Sequence, residues 1–267
     1  MASRSTHALR PVGDSRETWH AQCTETSLAL GGGVMESNQE TRFRRLRRAM
    51  VNEQLHGRGI HDRRVLAAMA KVPRHLFVPP ALRHLAYADG PLPIAGGQTI
   101  SQPYMVALMT EALRLTGSER VLDVGTGSGY QAAVLGELAR EVWSVEIVPE
   151  LAVESRQLLG QLGYANVHVL LANGSVGFPD QAPFDAIVVA AGAPEVPKRL
   201  VDQLGERGRL VIPVGFIGMQ MLLRVTKVGN GTTTEEILPC AFVPLVGEQG
   251  WTGSEAEHTG SRSSARP

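Results

Sequence analysis

Two acidic residues and a cluster of glycines follow one another across two predicted strands. Asp123 lies in the apolar segment VLDVG, and Glu146 lies in the next one, EVWSVEI. Between them comes a loop made of Gly125, Thr126, Gly127, Ser128 and Gly129. Glycines let the backbone approach a ligand where a Cβ would collide. An acid at the end of the second strand can accept hydrogen bonds from ribose hydroxyls. The pattern therefore predicts a pocket for a cofactor that contains a nucleoside.

The spacing of the glycines separates two classes of cofactor. A dinucleotide site needs the pattern G-x-G-x-x-G, whereas the third glycine here comes one residue earlier, and Tyr130 follows it. A carboxylate at Asp123 is poorly placed beside a pyrophosphate but can pair with the ammonium group of a methionine moiety. The residues therefore predict S-adenosyl-L-methionine, with S-adenosyl-L-homocysteine as its product, rather than a nicotinamide dinucleotide.

Strands and helices are predicted to alternate through the same part of the chain. The segments VLDVG, EVWSVEI, NVHVLLA and FDAIVVAAG are strand-like, and helical segments lie between them. Alternation of this kind indicates a parallel sheet that is covered on both faces. Asn230-Gly231 is a hairpin signal between the last two strands. We expect an α/β fold, Rossmann-like and of the S-adenosylmethionine-dependent methyltransferase type: a mostly parallel sheet with helices on both faces and an antiparallel C-terminal pair.

Composition divides the chain into a central domain and two ends. Residues 1–38 and 252–267 are rich in Ser, Thr, Gly and isolated charges without a sustained period. They predict a flexible N-terminal extension and a flexible C-terminal tail around a methyltransferase domain at 39–251, whose first part, 39–95, is helical. The segment TRFRRLRRAMVNEQLHGRGI predicts a helix that ends at Gly57 or Gly59.

Charge and cysteine content limit the partners and the compartment. Lys and Arg number 26, and so do Asp and Glu, so no global charge favours nucleic acid or an anionic membrane. Cys23 and Cys240 are far apart and form no disulfide framework, which fits a reducing cytoplasm. No apolar stretch has the length of a membrane span, and the histidines match no metal-binding spacing. We expect a cytoplasmic monomer without a metal, nucleic-acid or membrane partner.

A block upstream of the glycine loop carries a family resemblance. Residues 96–113, GGQTISQPYMVALMTEAL, and residues 72–79, VPRHLFVP, resemble protein-L-isoaspartate O-methyltransferases. The resemblance continues through VLDVGTGSGYQAAVL, APFDAIVVAAGAPEVP, GRLVIPVG and FVPLV, and covers about residues 44–247. It implies a repair enzyme that transfers a methyl group to the α-carboxylate of L-isoaspartyl and D-aspartyl residues in damaged proteins and peptides. The ester then collapses to a succinimide, and hydrolysis restores some normal aspartate.

The same resemblance assigns roles to individual residues. It gives Ser101 the catalytic task of orienting the acceptor carboxylate, with Thr99 and Ile100 shaping the site beside the cofactor. A carboxylate is already ionised and nucleophilic at neutral pH, so neither a strong base nor a metal is required. Ser101 could also act as the N-cap of the helix that follows, and the two roles are compatible. The acceptor groove is expected near Ser101 and Val214. The cofactor pocket would be completed by Ile147, Asn173 and Gly174.

The chain departs from the family at one cofactor position. Where the family has Gly-Asp-Gly, this sequence has Ala172-Asn173-Gly174. The family's acid helps to hold the adenine amino group, and Asn173 keeps a carbonyl acceptor but loses the charge, which weakens such a bond. Two alternatives therefore stay open: a cofactor-binding homologue with reduced activity, or a methyltransferase of nucleic acid or a small molecule. The arginine-rich segment 42–48 favours the second weakly, although a solvated helix face explains it better.

Overall fold

The structure is a computed structural model that describes residues 29–252. The predicted flexible ends therefore lie largely outside the described residues, at 1–28 and 253–267, and the domain boundaries stay a prediction. Contacts divide the chain into one unit that ends at Arg42 and another that begins at Phe43. The site described below lies in the second unit.

The first helix is longer than the sequence pattern indicated. Helix α1 spans Ala29–Ala49, so it begins inside the segment whose composition predicted an extension. It continues as a wider turn at Met50–Leu55 and a tight turn at His56–Arg58. This helical segment ends at Gly59, whose φ of 95° is left-handed, so the predicted end of the helix at a glycine is confirmed.

Five parallel strands and two antiparallel strands form one mixed sheet in the described part of the chain. Its order is β5-β4-β3-β6-β7-β8-β9. The strands are β3 (Arg120–Val124), β4 (Glu141–Glu146), β5 (Val167–Leu171), β6 (Phe184–Val189), β7 (Leu204–Phe216), β8 (Met219–Val228) and β9 (Gly231–Cys240). The predicted antiparallel pair is confirmed, since Val228 pairs with Gly231 at the predicted hairpin. Strands β7 and β8 are also antiparallel.

Five further α-helices follow in the described residues, and the last three of them connect parallel strands of the sheet. They are α2 (Arg63–Lys71), α3 (Pro103–Ala112), α4 (Tyr130–Gly136), α5 (Pro149–Gln161) and α6 (Lys198–Asp202). The Asp62 carboxylate accepts hydrogen bonds from the amides of Arg64 and Val65 and so caps α2. Buried aliphatic side chains from both faces of the sheet form the core, among them Val121, Leu122 and Ile187. No described helix is long and apolar enough to cross a membrane.

A separate two-stranded ribbon precedes α3 and carries the block of residues 98–101. Strand β1 (Leu92–Pro93) pairs antiparallel with β2 (Thr99–Ile100), and Leu92 lies opposite Ile100. The Ile94 amide donates to the Gln98 carbonyl, which closes the turn between the two strands. Ser101 therefore lies between this hydrogen-bonded ribbon and the helix α3.

Candidate active site

The glycine loop runs from the carboxyl end of β3 to the start of α4. Gly125, Gly127 and Gly129 have φ values of 92°, 52° and 87°, a region that L side chains rarely adopt. The amide of Gly125 donates to the Val145 carbonyl at 2.9 Å, which ties the loop to the neighbouring strand β4. The loop is thus held by its backbone, and Gly125, Thr126, Gly127 and Ser128 line a cavity at the carboxyl edge of the sheet.

Glu146 joins the loop to the end of β4. One carboxylate oxygen accepts a hydrogen bond from the Gly127 amide at 2.7 Å. The other accepts from the amides of Ile147 and Val148, each at 2.9 Å. A carboxylate has about four acceptor positions, so three backbone donors fix its orientation and leave room for a further donor. Its side chain is nearly buried, yet it lines the cavity.

Asp123 lies behind the cavity wall rather than on it. The residue is fully buried, and one carboxylate oxygen accepts a hydrogen bond from Ser144 Oγ at 2.7 Å. Because Ser144 has one hydroxyl proton, Thr126 Oγ1 donates to Ser144 Oγ at 2.6 Å. The other oxygen, Oδ1, is buried and has no hydrogen-bond partner among the described residues. Burial raises the pKa of Asp123 to about 7, against the lowering effect of the Ser144 hydrogen bond.

Most of the residues predicted for the cofactor line this one cavity. The structure brings together ten predicted residues: Thr99, Ile100, Ser101, Gly125, Thr126, Gly127, Ser128, Glu146, Ile147 and Gly174. Asp123, Gly129, Asn173 and Val214 are not among its lining residues. Gly129 instead lies directly before α4 and packs against Ser155 and Leu159 of α5. Val214 forms a β-bridge with Ala193.

The side chain of Asn173 is already occupied within its own turn. Its Oδ1 accepts hydrogen bonds from the Ser175 amide at 3.1 Å and from Ser175 Oγ at 2.8 Å. An amide oxygen has two lone pairs, so this arrangement leaves none for another donor. A direct contact from Oδ1 to an adenine amino group would require the side chain to turn.

Ser101 lies where the cavity meets a second, adjoining groove. Thr99, Ser101, Ala190 and Val243 line both. No described residue donates to or accepts from Ser101 Oγ, and the N-cap of α3 is Gln102, so the capping role considered for Ser101 is not the one the structure shows. The rest of the groove comes from Arg58, Pro91, Gln102, Tyr104, Met105 and residues 238–242.

Several lining residues were not assigned a role from the sequence. The far wall of the cavity comes from Ala190 and Ala191 after β6 and from residues 243–246 after β9. Strand β6 lies beside β3, so the residues that follow its carboxyl end face the glycine loop. Ala190 and Ala191 could therefore have been predicted from the order of the strands. Nothing in the sequence placed the distant segment 243–246 at the cavity. Among the described residues, no group of three or more His, Cys, Asp or Glu side chains could hold a metal ion.

Comparisons with known proteins agree on one family. Residues 45–250 match the family model for protein-L-isoaspartate(D-aspartate) O-methyltransferase (PCMT). The protein-L-isoaspartate O-methyltransferase 1 of Syntrophobacter fumaroxidans is 56% identical over 211 residues, which cover 79% of this chain and 99% of the relative. The protein-L-isoaspartate O-methyltransferase 2 of Pelobacter propionicus is 57% identical over 216 residues, covering 80% and 94%.

Solved structures of the same family share the fold. A protein-L-isoaspartate O-methyltransferase superposes with a TM-score of 0.68 at 28% identity, covering 76% of this chain and 67% of the other. The beta-aspartate methyltransferase (PCMT) of Plasmodium falciparum, solved in complex with S-adenosyl-L-homocysteine, gives a TM-score of 0.64 at 29% identity, covering 73% and 96%. With this sheet order, this glycine loop and relatives more than half identical, the chain belongs to the protein-L-isoaspartate (D-aspartate) O-methyltransferase family and is an S-adenosylmethionine-dependent methyltransferase.

Proposed function

We propose that the carboxyl methylation of isoaspartyl residues takes place at Ser101, where the cofactor cavity opens into the acceptor groove. The observation that carries this proposal is the shared wall: Thr99, Ser101, Ala190 and Val243 line both spaces. A cofactor in one and a peptide in the other would meet at this wall. The Ser101 hydroxyl is then free to donate to the acceptor carboxylate.

The residues around the cavity fit S-adenosylmethionine. Glu146 is oriented by three amides and keeps an acceptor position for a ribose hydroxyl. The loop Gly125–Gly129 would place small residues next to the methionine part, since its glycines allow a close approach. The unpartnered Oδ1 of Asp123 is a buried acceptor behind the cavity wall, and it would accept from the ammonium group if cofactor binding moves the residues that cover it. Ile147 and Gly174 would flank the adenine, Asn173 would order the turn beside it, and Thr99 and Ile100 would close the pocket on the acceptor side.

The chain's own residues have little chemistry to perform beyond alignment. When bound, S-adenosylmethionine supplies an electrophilic methyl group. The acceptor carboxylate is ionised at neutral pH, so no side chain needs to remove a proton. Ser101 donates a hydrogen bond that orients the carboxylate without neutralising it, and the apolar side chains of Ile100, Val106 and Val243 exclude water.

The groove also suggests which partners the enzyme meets. It is lined by residues of the helix α3 and of the segment 238–243, so a peptide that places its isoaspartate at Ser101 would contact these residues. Val214, although it lies outside both spaces, is retained as a candidate acceptor contact near the end of β7. We further propose that the protein acts as a cytoplasmic monomer, whose mass light scattering after gel filtration would measure.

Methyl transfer to paired peptides tests the proposal. The enzyme is incubated with methyl-labelled S-adenosylmethionine and two peptides that differ only in isoaspartate or normal aspartate. We expect base-labile label in the isoaspartyl peptide alone. Ser101→Ala should lower kcat/KM by about 10- to 100-fold, as expected for losing a hydrogen bond to a charged group. Ser118→Ala, on an exposed loop before β3, is the matched control. Full activity of Ser101→Ala would remove Ser101 from the mechanism.

A further inference from the structure

One fully buried arginine connects three segments around the site. Arg74 lies in the short turn Arg74–Phe77, and none of its surface is exposed to solvent. Its Nε donates to the Ala86 carbonyl at 2.8 Å, and its Nη2 donates to the Ser101 carbonyl at 2.8 Å. Its guanidinium also lies over the ring of Tyr130, with 4.8 Å between Cζ and the ring centroid. Tyr130 follows the glycine loop and lines the cofactor cavity.

The charge of this arginine is not neutralised by an acidic neighbour. No described carboxylate lies within ion-pair distance of Arg74, and its Nη1 has no hydrogen-bond acceptor among the described residues. Burial lowers the pKa of Arg74 to about 10, so the group remains protonated at neutral pH. Burying an unpaired guanidinium is costly, and two carbonyls with one aromatic face offset only part of that cost. An apolar side chain would fill the same space without this cost.

The hydrogen bond from Arg74 to the Ser101 carbonyl suggests a role for the buried charge. Ser101 is not the N-cap of α3, and no described residue forms a hydrogen bond with its hydroxyl. Its orientation is therefore set by its backbone. On the N-terminal side, Ile100 is held in the ribbon by Leu92. On the C-terminal side, the carbonyl of Ser101 is held by Arg74. Without this second anchor the peptide plane that follows Ser101 could rotate.

We propose that Arg74 is a positioning residue for the methyl transfer: its buried guanidinium holds the Ser101 carbonyl and thereby aims the Ser101 hydroxyl at the acceptor carboxylate. This inference rests on the proposed role of Ser101. It assigns Arg74 no contact with either substrate. A change at Arg74 should therefore act on the alignment of the acceptor and much less on the affinity for the cofactor. Misplacement of a catalytic group by about 1 Å can cost on the order of 100-fold in rate.

Another arginine provides a matched control for the structural part of the effect. Arg64 also bridges two carbonyls, donating from Nη1 to Leu115 at 2.8 Å and from Nη2 to Leu138 at 3.2 Å. Neither Arg64 nor its partners line the cavity or the groove. The variant Arg64→Met should lower the melting temperature and leave kcat of the folded enzyme within about twofold of the wild type.

The test compares Arg74→Lys and Arg74→Met with Arg64→Met in the full chain. Lysine keeps the charge but cannot reach both carbonyls as the guanidinium fork does. We expect Arg74→Lys to fold and to lower kcat by about 10- to 100-fold. The Kd of S-adenosylhomocysteine, measured by calorimetry, should stay within about threefold of the wild-type value. If Arg74→Met folds, its kcat should fall further than that of Arg74→Lys. If it does not fold, the result for Arg74→Lys decides the question.

A double-mutant cycle decides whether Arg74 acts through Ser101. If it does, Arg74→Lys should cost much less activity in the Ser101→Ala background than in the wild type. Losses that multiply in the double variant would overturn the proposal. So would wild-type kcat in Arg74→Lys, or an equal loss in Arg64→Met. Failure of the proposed function is seen separately, as no label in the isoaspartyl peptide with the wild-type enzyme, or as full activity of Ser101→Ala alone.

Discussion

The buried carboxyl of Asp123 should make cofactor binding sensitive to pH. Burial and the nearby negative charge of Glu146 raise the pKa of Asp123 from 3.8 to about 7, although the Ser144 hydroxyl opposes the shift. The stabilisation from the protonated form is therefore complete below about pH 4 and is lost as the pH rises through about 7. Ionised Asp123 is a buried charge that no cation among the described residues neutralises. A bound ammonium group would supply that cation.

Cofactor affinity should therefore rise with pH. A cation beside Asp123 favours its ionised form, so binding releases a proton below about pH 7. We expect the Kd of S-adenosylhomocysteine to fall between pH 5.5 and 8 and then level off. Calorimetry in two buffers with different ionisation enthalpies measures the released proton directly. Asp123→Asn should bind more weakly and lose this pH dependence. A slope that persists unchanged in Asp123→Asn would assign the titration to another group.

Asn173 leads to a prediction of increased affinity. Its Oδ1 is used by Ser175, and its remaining atom is a donor, which cannot accept a hydrogen bond from an adenine amino group. In Asn173→Asp, one oxygen can keep the Ser175 bonds while the other becomes a charged acceptor. We expect S-adenosylhomocysteine to bind about 5- to 30-fold more tightly, the gain typical of one charge-assisted hydrogen bond.

The control for this substitution is Asn173→Ala, which removes the cap of the turn and adds no acceptor. It should weaken binding, because the Ser175 amide then loses its partner. Equal or weaker binding by Asn173→Asp would show that the adenine amino group does not approach this side chain. It would also remove the residue as the cause of any reduced activity.

At the scale of elements, the join between β3 and α4 depends on a glycine. Gly129 has a φ of 87°, and a Cβ there would lie 3.3 Å from both Leu159 Cδ1 and Ser155 Cβ on α5. We expect Gly129→Ala to lower the free energy of unfolding by about 1–3 kcal/mol, from left-handed strain of about 1–2 kcal/mol and tight packing. Urea denaturation followed by circular dichroism measures the change.

A glycine in α5 gives the opposite expectation. Gly160 lies within the helix, and a Cβ there would meet no atom within 4 Å. Gly160→Ala should therefore raise the free energy of unfolding by about 0.5–1 kcal/mol, because alanine reduces the freedom of the unfolded chain. If both alanine variants shifted stability in the same direction, the role of the left-handed turn would be refuted.

Much of the architecture follows from local patterns. The alternation of apolar strands and helices predicted the parallel sheet, and Asn230-Gly231 predicted the antiparallel end, since both depend on neighbours along the chain. The first helical segment likewise ended at Gly59, one of the two glycines at which its end was predicted. The early start of α1 at Ala29 was missed, because its first residues lack an apolar period and contain three consecutive glycines.

Those parts of the site that a motif on adjacent strands forms were predicted from the sequence. Those parts that distant segments of the chain form were missed. The glycine loop and Glu146 lie on the neighbouring strands β3 and β4, so their proximity follows from topology. The wall formed by residues 243–246 depends on how the chain returns after β9, which no local pattern specifies. The occupied side chain of Asn173 and the anchoring of Ser101 by Arg74 are tertiary hydrogen bonds between groups that sequence alone does not pair.

For the whole molecule, the C-terminal segment 243–246 lines the cavity and is held by Gly192 and Trp251. The Gly192 amide donates to the Val243 carbonyl, and the Leu245 amide donates to the Gly192 carbonyl, each at 2.8 Å. The Trp251 amide donates to the Leu245 carbonyl at 2.7 Å, and its indole Nε1 donates to the Gly192 carbonyl at 3.0 Å. Gly247 in turn donates to the Trp251 carbonyl at 3.1 Å. Leu245 and Val246 line the cavity that is proposed to hold the cofactor. Trp251, the predicted end of the domain, therefore contacts residues that shape the cavity, and the boundary itself stays a prediction.

Two truncations test this boundary and the predicted domain together. A chain of residues 39–251 keeps every cavity-lining residue, so its melting temperature should stay within about 2 °C of the full chain and its kcat should be unchanged. A chain of residues 39–247 loses Trp251 and its bonds to Leu245 and Gly192, which removes part of what holds the segment 243–246, while the backbone bonds from Gly192 to Val243 and Leu245 remain. We expect its affinity for S-adenosylhomocysteine to fall by about tenfold or more. Calorimetry on both chains gives the comparison. Equal affinities would show that the segment keeps its place without the tryptophan, and an unfolded 39–251 chain would show that the domain extends beyond these limits.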